Sequence, residues 1–163
     1  VALTPGEVQS VHLVPHDPPA VPEAVEAVLD ADWVVLGPGS WFSSVIPHLL
    51  VPELLDALTE TKARRVLSLN LAPQPGETDG FSPQRHLEVL GRHAPKLALD
   101  VVLADEAAVP DRDVLTEAAG RLGAAVELAP VARRDGTPRH DPELLAAAYD
   151  RIFRMHGRIG PWR

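Results

Sequence analysis

Short apolar runs recur along the chain and are separated by segments in which apolar positions follow a helical spacing. Continuous apolar runs are typical of strands that are buried in a parallel sheet. They predict strands at residues 33–36, 66–70 and 99–103, and a shorter strand at residues 126–128. A looser alternation of apolar and polar residues predicts a further strand over residues 8–14.

Helices are predicted between these strands, and proline marks the start of several of them. A proline is tolerated in the first turn of a helix because the N–H group that it lacks would have no partner there. The predicted helices cover residues 22–29, 41–50, 52–61, 82–92, 113–122 and 141–153. Strand and helix alternate about five times, which predicts an α/β fold with a parallel sheet and helices on both faces.

In a parallel sheet of this kind, ligands bind beyond the carboxyl ends of the strands. Three loops are predicted to lie at this edge, at residues 37–40, 70–80 and 104–111. These loops are therefore the places to look for a binding site.

The first of these loops, Gly37-Pro38-Gly39-Ser40, joins a strand to a helix. Two glycines let a ligand approach the backbone closely, while the Ser40 hydroxyl and the unpaired N–H groups of a helix N-terminus suit a phosphate. The alternative is an ordinary strand-to-helix turn with a serine cap. The loop is neither a P-loop nor a dinucleotide fingerprint, because no Gly-Lys-Ser/Thr follows it and the required glycine triplet is missing.

The second loop begins with Asn70, the only asparagine of the chain, and continues through Gln74, Glu77 and Thr78. Prolines stiffen this loop, and a stiff polar loop can hold amides and hydroxyls ready for a sugar or a base. The alternative interpretation is a surface loop whose side chains bond to its own backbone.

A third candidate is Arg139, in an arginine-rich stretch over residues 133–141 that precedes the last predicted helix. A guanidinium group there could pair with a phosphate at two points. The alternative is a solvated connection between strand and helix.

The sequence predicts neither a catalytic residue nor a metal site. His86 and His93 are seven positions apart, which is not the spacing of a metal pair, and no Ser-His-Asp or HExxH pattern occurs. Asp100, Asp105 and Glu106 are the candidate Mg²⁺ ligands, and we interpret them as structural or loop residues.

Composition narrows the class of protein. The 163 residues carry 15 Lys and Arg against 23 Asp and Glu, a net charge of −8, which argues against binding to nucleic acid or to anionic membranes. Cysteine is absent, which excludes disulfides, thiolate metal sites and a cysteine nucleophile. No apolar run is long enough to insert into a membrane, and no signal pattern is present. A cytoplasmic protein is therefore expected, with residues 1–163 forming one α/β domain.

Three longer segments carry a family resemblance: GPGSWFSSVIPHLLVPEL (37–54), LNLAPQPGETDGFSPQRHLEVL (69–90) and PRHDPELLAA (138–147). In these segments the chain resembles the YvcK-like gluconeogenesis factor family of the CofD-like superfamily, whose founding enzyme is 2-phospho-L-lactate transferase. The resemblance implies a Rossmann-like three-layer fold and a cytoplasmic location. It also implies binding of a nucleotide or nucleotide sugar such as UDP-N-acetylglucosamine, and a role that links carbon metabolism to cell-wall synthesis and cell shape.

Two departures from the family pattern refine this expectation. The transferase branch is more similar to GPSNP at the first loop, whereas Gly37-Pro38-Gly39-Ser40 follows the YvcK-like branch. No two glycines are adjacent, so the family's glycine-rich N-terminal loop is missing, and we expect this chain to be the C-terminal half of a larger CofD-like protein. The preferred function is a regulatory factor that binds a nucleotide sugar. The alternative is a transferase that moves a phospho-acyl group from a nucleotide diphosphate to an alcohol with Mg²⁺, and a homo-oligomer is left open.

Overall fold

Four parallel strands form the sheet in the computed structural model, which describes residue 8 and residues 10–156. The strands are β1 (Trp33–Leu36), β2 (Arg64–Ser68), β3 (Val101–Asp105) and β4 (Ala125–Ala129). They lie in the order β1-β2-β3-β4, so each strand pairs with the next one along the chain. The predicted α/β fold with a parallel sheet is confirmed.

The helices alternate with these strands and end close to the predicted positions. They are α1 (Pro22–Asp30), α2 (Ile46–Leu49), α3 (Pro52–Glu60), α4 (Pro83–His93), α5 (Arg112–Gly120) and α6 (Pro142–His156). A π-helical turn, Trp41–Val45, leads directly into α2, and a 3₁₀ turn, Glu106–Ala108, follows β3. Four of the predicted proline starts, those of α1, α3, α4 and α6, are confirmed as helix N-termini.

The strand order determines which helices cover which face. Connections between parallel strands are right-handed, so a sheet that grows in one direction has its connecting helices on one face. Leu67 and Val102 accordingly pack in one buried cluster with residues of α2 to α5. Val66 and Val101 point the other way and pack against Ile152 of α6. The result is a three-layer arrangement with helices on both faces of the sheet.

The second face is covered less completely over β1 than over the other strands. Trp33 packs against Phe153 of α6, with ring centroids 4.7 Å apart. Val35, two residues further along β1, is 42% exposed. Helix α6 therefore covers the start of β1 but not its middle.

The predicted strand over residues 8–14 is wrong, because residue 8 and residues 10–14 form no strand. Val8 and Val11 pack instead against the cluster on the α2–α5 face. Val14 is 97% exposed and precedes a proline, and proline has no N–H group to donate to a sheet ladder. Val8 and Val11 are thus used for packing against the helical face and not for pairing in the sheet.

An aromatic cluster buries one end of the π-helical turn against α4. The ring of His86 lies 4.9 Å from that of Trp41 and 5.2 Å from that of Phe81, and both contacts are edge-on. The Nδ1–H group of His86 donates to the Ser82 carbonyl at 2.9 Å, which leaves Nε2 as an acceptor. Within the described residues, neither this nitrogen nor the Trp41 indole nitrogen has a hydrogen-bond partner. Burial lowers the pKa of His86 below its ordinary value of 6.5.

This lowered pKa predicts a loss of stability in mild acid. The unfolded chain takes up a proton at His86 at higher pH than the folded chain, so the free energy of unfolding falls as the pH drops below 6.5. We expect His86→Gln to flatten this dependence, because glutamine can keep the bond to Ser82 without titrating. Urea denaturation of the full-length protein between about pH 7.5 and about pH 5 measures the effect.

His93→Gln is the matched control for this experiment. His93 lies on the same helix and bonds the Val89 carbonyl at the same 2.9 Å, but it is only half-buried. If both variants change the slope of stability against pH equally, burial of His86 is not the source of the acid sensitivity.

Candidate ligand-binding site

The loop after β1 turns sharply against the end of β2. Gly37 has a φ of +68°, a conformation that side chains disfavour. A Cβ added at Gly37 would lie 2.7 Å from the Ser68 carbonyl oxygen, which is closer than a real contact allows. The Gly37–Pro38 peptide is cis. Glycine at position 37 is therefore required by the fold itself.

Asn70 holds the next residue of this loop with two hydrogen bonds. The Gly39 N–H group donates to Asn70 Oδ1 at 3.0 Å, and Asn70 Nδ2 donates to the Gly39 carbonyl at 2.8 Å. A primary amide is suited to both bonds because it carries a donor and an acceptor side by side. The single asparagine of the chain thus ties the loop after β1 to the loop after β2.

Gly39 differs from Gly37 in what surrounds it. Its φ is not positive, and an added Cβ would meet only the Cβ of Ser44, at an ordinary contact distance of 3.7 Å. The packing of the described residues gives no reason for glycine at position 39. Gly39 therefore presents backbone without a side chain, and Asn70 holds its N–H and carbonyl groups in place.

Glu77 occupies the N-terminus of the helical segment that follows this loop. Its Oε1 accepts from the Phe42 N–H group at 2.8 Å and from the Ser43 N–H group at 3.2 Å. The Ser40 hydroxyl donates to the same carboxylate at 2.6 Å and also contacts the Ser43 hydroxyl. The carboxylate satisfies N–H groups that have no partner within the helix, and its charge suits the positive end of the helix dipole. A phosphate at this N-terminus would have to take the place of Glu77.

The rest of the loop over residues 70–80 is partly bonded to itself. The Gln74 N–H group donates to the Thr78 hydroxyl at 2.8 Å, and the Thr78 N–H group returns to the Gln74 carbonyl at 2.9 Å. Thr78 is fully buried. Gln74 Oε1 is buried too, and it has no hydrogen-bond partner among the described residues. Thr78 therefore shapes the loop, while the Gln74 side chain keeps an unused acceptor.

Asp105, at the end of β3, fixes the loop that follows β4. Its Oδ2 accepts from the Val131 and Ala132 N–H groups at 2.8 and 2.9 Å, and its Oδ1 accepts from Ala107 at 2.9 Å. Ala132 forms an antiparallel bridge with His140, which closes a short hairpin over residues 132–140. Asp105 is thus committed to backbone N–H groups within the chain.

This hairpin places two neighbouring residues, Arg139 and His140, beyond the carboxyl end of β4. Arg139 is exposed, and its carbonyl accepts from the Arg133 N–H group at 2.9 Å. Burial lowers the pKa of His140 below its ordinary value of 6.5, while the nearby Leu69 backbone and the Asp105 charge oppose the shift. His140 was not among the predicted site residues. Its position between Arg139 and the start of the last predicted helix is the signal that points to it.

The candidate Mg²⁺ ligands are not brought together. Asp100 lies at the opposite edge of the sheet, at the start of β3, where it accepts from the Arg65 N–H group at 2.8 Å and lies 4.0 Å from Arg64. Among residue 8 and residues 10–156 there is no cluster of three or more His, Asp or Glu side chains that could hold a metal ion. None of the helices described has the length and apolarity that a membrane span requires.

The chain is similar in sequence to a known protein family and to proteins of other bacteria. A family model described as 2-phospho-L-lactate transferase CofD matches residues 2–136. A protein of Mycobacterium tuberculosis named as a gluconeogenesis factor is 54% identical over 155 residues, and one of Deinococcus radiodurans is 41% identical over 162 residues. Each match covers 93% of this chain but only 45% and 34% of the two relatives, respectively. The chain therefore spans less than half the length of these curated relatives.

A solved structure gives the same picture of the fold. The crystal structure of a UPF0052 family protein from Bacillus halodurans is similar with a TM-score of 0.76 and 28% sequence identity. The similarity covers 87% of this chain and 50% of that chain.

The bonds of Glu77 predict a cost for removing its charge. We expect Glu77→Gln to lower the free energy of unfolding of the full-length protein by about 1–3 kcal/mol, because the amide has fewer acceptor sites and turns N–H groups towards buried donors. Urea denaturation at neutral pH measures this difference. Glu117→Gln is the control, since Glu117 forms an exposed pair with Arg121 at 2.7 Å. A pair of that kind contributes less than about 1 kcal/mol. Equal losses in the two variants would contradict the assigned role of Glu77.

Proposed function

The chain belongs to the 2-phospho-L-lactate transferase CofD family, and from this premise we propose that it forms part of a binding site for a nucleotide sugar of the UDP-N-acetylglucosamine type. The family resemblance noted from the sequence is confirmed by the match. We further propose that the full-length protein is a cytoplasmic regulatory factor that links carbon metabolism to cell-wall synthesis and cell shape. Relatives that carry the name gluconeogenesis factor support the carbon-metabolism part of this role.

The proposal rests on the surroundings of Gly39, where neither the packing nor the backbone conformation calls for a glycine. The fold requires glycine at position 37 but gives no reason for glycine at position 39. A residue without a side chain is useful where a ligand must come within contact distance of the backbone. Gly39 lies at the carboxyl edge of a parallel sheet, where ligands of such folds bind. A diphosphate lying against this backbone is the role we assign to Gly39.

The surrounding residues divide into those that shape the loop and those that can reach a ligand. Ser40, Glu77 and Thr78 are committed to bonds within the chain, and Asn70 holds Gly39. Gln74 Oε1 has no hydrogen-bond partner among the described residues but is buried, so its proposed role, to accept from an N–H group of the base or the sugar, needs a change of side-chain rotamer that exposes it. Arg139 is exposed at the same edge of the sheet and supplies the positive charge that a diphosphate needs.

A transferase remains the second candidate, because the matching family model is described by that activity. In this case the ligand is a guanosine nucleotide and Mg²⁺ is required. Asp105 is a carboxylate at the carboxyl edge of the sheet, where Mg²⁺ would be needed, but its oxygens already accept hydrogen bonds from three backbone N–H groups. The two candidates differ in the nucleotide that they predict, and binding measurements can separate them.

Calorimetry of the full-length protein with UDP-N-acetylglucosamine, and separately with GDP in the presence and absence of Mg²⁺, tests the proposal. Binding of the nucleotide sugar without turnover supports the regulatory factor. Binding of GDP that needs Mg²⁺, with no binding of the sugar nucleotide, would replace it with the transferase. Binding of neither ligand would overturn both.

The role of Gly39 predicts a variant that folds but does not bind. We expect Gly39→Val to weaken the affinity for UDP-N-acetylglucosamine at least about tenfold, equivalent to about 1.4 kcal/mol, because the new side chain fills the space of the ligand. The melting temperature without ligand should change little. Gly39→Ala adds only the Cβ that the structure accommodates and serves as the milder variant. The control is Gly120→Ala, in open space at the end of α5, and unchanged affinity in Gly39→Val would refute the assigned role.

Arg139→Lys separates a phosphate clamp from a surface charge. Lysine keeps the charge but lacks the planar fork that pairs with phosphate at two points. We expect the affinity for UDP-N-acetylglucosamine to fall at least about tenfold, or about 1.4 kcal/mol, with the melting temperature without ligand nearly unchanged. Arg134→Lys, an exposed residue of the same hairpin, is the matched control. If lysine at position 139 binds as well as arginine, the hairpin is only a solvated connection.

A further inference from the structure

Strand β1 lies at one edge of the sheet that the described residues form, and it has a partner on one side only. The Asp32 carbonyl accepts from the Arg64 N–H group at the start of β2 at 3.0 Å, so the backbone groups of Asp32 point towards β2. Because this direction alternates along a parallel strand, the N–H and carbonyl groups of Trp33 and Val35 point to the open edge. Backbone groups exposed in this way are a template for one more strand.

The side chains of β1 are not those of a strand that ends a sheet. All four residues of Trp33–Leu36 are apolar, as is typical of inner strands of a parallel sheet. Natural edge strands are commonly protected from further pairing by charged residues, prolines or bulges. The opposite edge strand, β4, carries such a charge, since Glu127 lies 3.7 Å from both Arg151 and His156 of α6. The two edges therefore differ, and β1 has the composition of an inner strand.

The surface around β1 is apolar and uncovered. Val35 is exposed on the face that α6 covers elsewhere. A groove of about 360 Å³ lies beside β1, and its lining includes Val28, Val34 and Leu54. None of the nine residues of α1 is buried, and Leu29 of this helix is 44% exposed. Since the sheets of parallel α/β folds are covered on both faces, this part of the molecule lacks a neighbour.

The position of α1 indicates where a preceding strand lies. Helix α1 packs against α3, and Val28 packs against the buried cluster on the α2–α5 face. Connections between parallel strands are right-handed, so a helix on this face leads the chain across the sheet in the direction from β1 to β4. A parallel strand that is adjacent to β1 and precedes α1 therefore lies on the open side of β1.

The strand for this edge has to come from outside the described residues, because residue 8 and residues 10–21 form no strand. The similarity covers only 45% of the Mycobacterium tuberculosis relative and 50% of the Bacillus halodurans chain, so about half of each protein is available to supply it. We propose that a strand from the part of the full-length protein that precedes this chain pairs in parallel with the open edge of β1, and that side chains of the same part cover Val35.

Hydrogen–deuterium exchange of the full-length protein, resolved by residue with NMR, tests the pairing. The Val35 N–H group is the probe, and the Val34 N–H group, which faces β2, is the internal reference. We expect the two amides to exchange within about tenfold of each other, because both then open only when paired strands separate. A Val35 amide that exchanges much faster than this would show that the edge is free and would overturn the proposal.

A pair of variants of the full-length protein tests the cover over Val35. Val35→Thr keeps the shape of the side chain but introduces a hydroxyl group, which is costly only where it is buried. We expect it to lower the melting temperature by at least about 3 °C. Val114→Thr on α5 is the matched control, since Val114 is 41% exposed and Val35 42% exposed. Equally small shifts in the two variants would mean that Val35 stays exposed, contrary to the proposal.

The protein concentration distinguishes the two sources of a pairing strand. If a second copy of the protein supplied it, protection of the Val35 amide would fall on dilution by about tenfold, because the association of two copies follows mass action. Protection that is independent of concentration supports a strand from the same molecule, and loss of protection on dilution would overturn the proposal. Neither measurement involves a nucleotide, so the outcome is independent of the proposed function.

Discussion

The two hydrogen bonds between the Asn70 side chain and the Gly39 peptide are the contact on which the carboxyl edge of the sheet depends. Strands β1 and β2 are in register, with Leu36 beside Leu67, so the loops that follow them leave the sheet side by side. Neither strand by itself fixes the path of the loop that follows it. The amide of Asn70 joins them, and the positive φ of Gly37 gives the first loop the turn that it needs to meet that amide. Ser40, the residue after Gly39, meets Glu77 of the second loop beside this junction.

The charge that a ligand meets at this edge depends on the Glu77 carboxylate, an anion that belongs to the protein itself. Glu77 satisfies the helix N-terminus that would otherwise attract a phosphate, so the positive end of that dipole is already compensated. An anionic ligand must then find its positive charge elsewhere. Arg133, Arg134 and Arg139 are exposed on one hairpin, in a protein whose net charge is −8. At physiological ionic strength charges beyond about 8 Å are screened, so the local arginines and not the overall charge determine what the edge attracts.

The elements that the sequence predicts well are those whose signals are local. The run Trp33–Leu36 is a strand with the predicted bounds, and prolines mark the starts of α1, α3, α4 and α6 as predicted, because both signals depend on neighbouring residues. The segment over residues 8–14 has the alternation of a strand, but Val8 and Val11 pack against the helical face while Val14 is exposed, so tertiary packing overrode the local pattern.

The contacts that build the site could not be found in the same way. Glu77 caps a helix whose first residues lie 35 positions earlier in the chain, and Asp105 holds N–H groups 26 and 27 positions later. Such partners are set by the pairing of strands in space. The sequence therefore identified Gly39, Asn70 and Glu77 as candidates without indicating that two of them bind the chain itself. It marked Arg139 but passed over the histidine beside it.

The order of the strands also has a consequence for how the chain folds. Because β1, β2, β3 and β4 lie in the sheet as they follow in the chain, every pairing joins a strand to its immediate successor. Each pairing closes a loop of one strand–helix unit, and folding is faster when contacting residues are close in sequence. The sheet can thus be extended one unit at a time from β1 as the ribosome delivers the chain. The bonds from Asp105 to the Val131 and Ala132 N–H groups form last in this order, since they need the hairpin after β4, so the end of β3 is tied to that hairpin only after all four strands have been made.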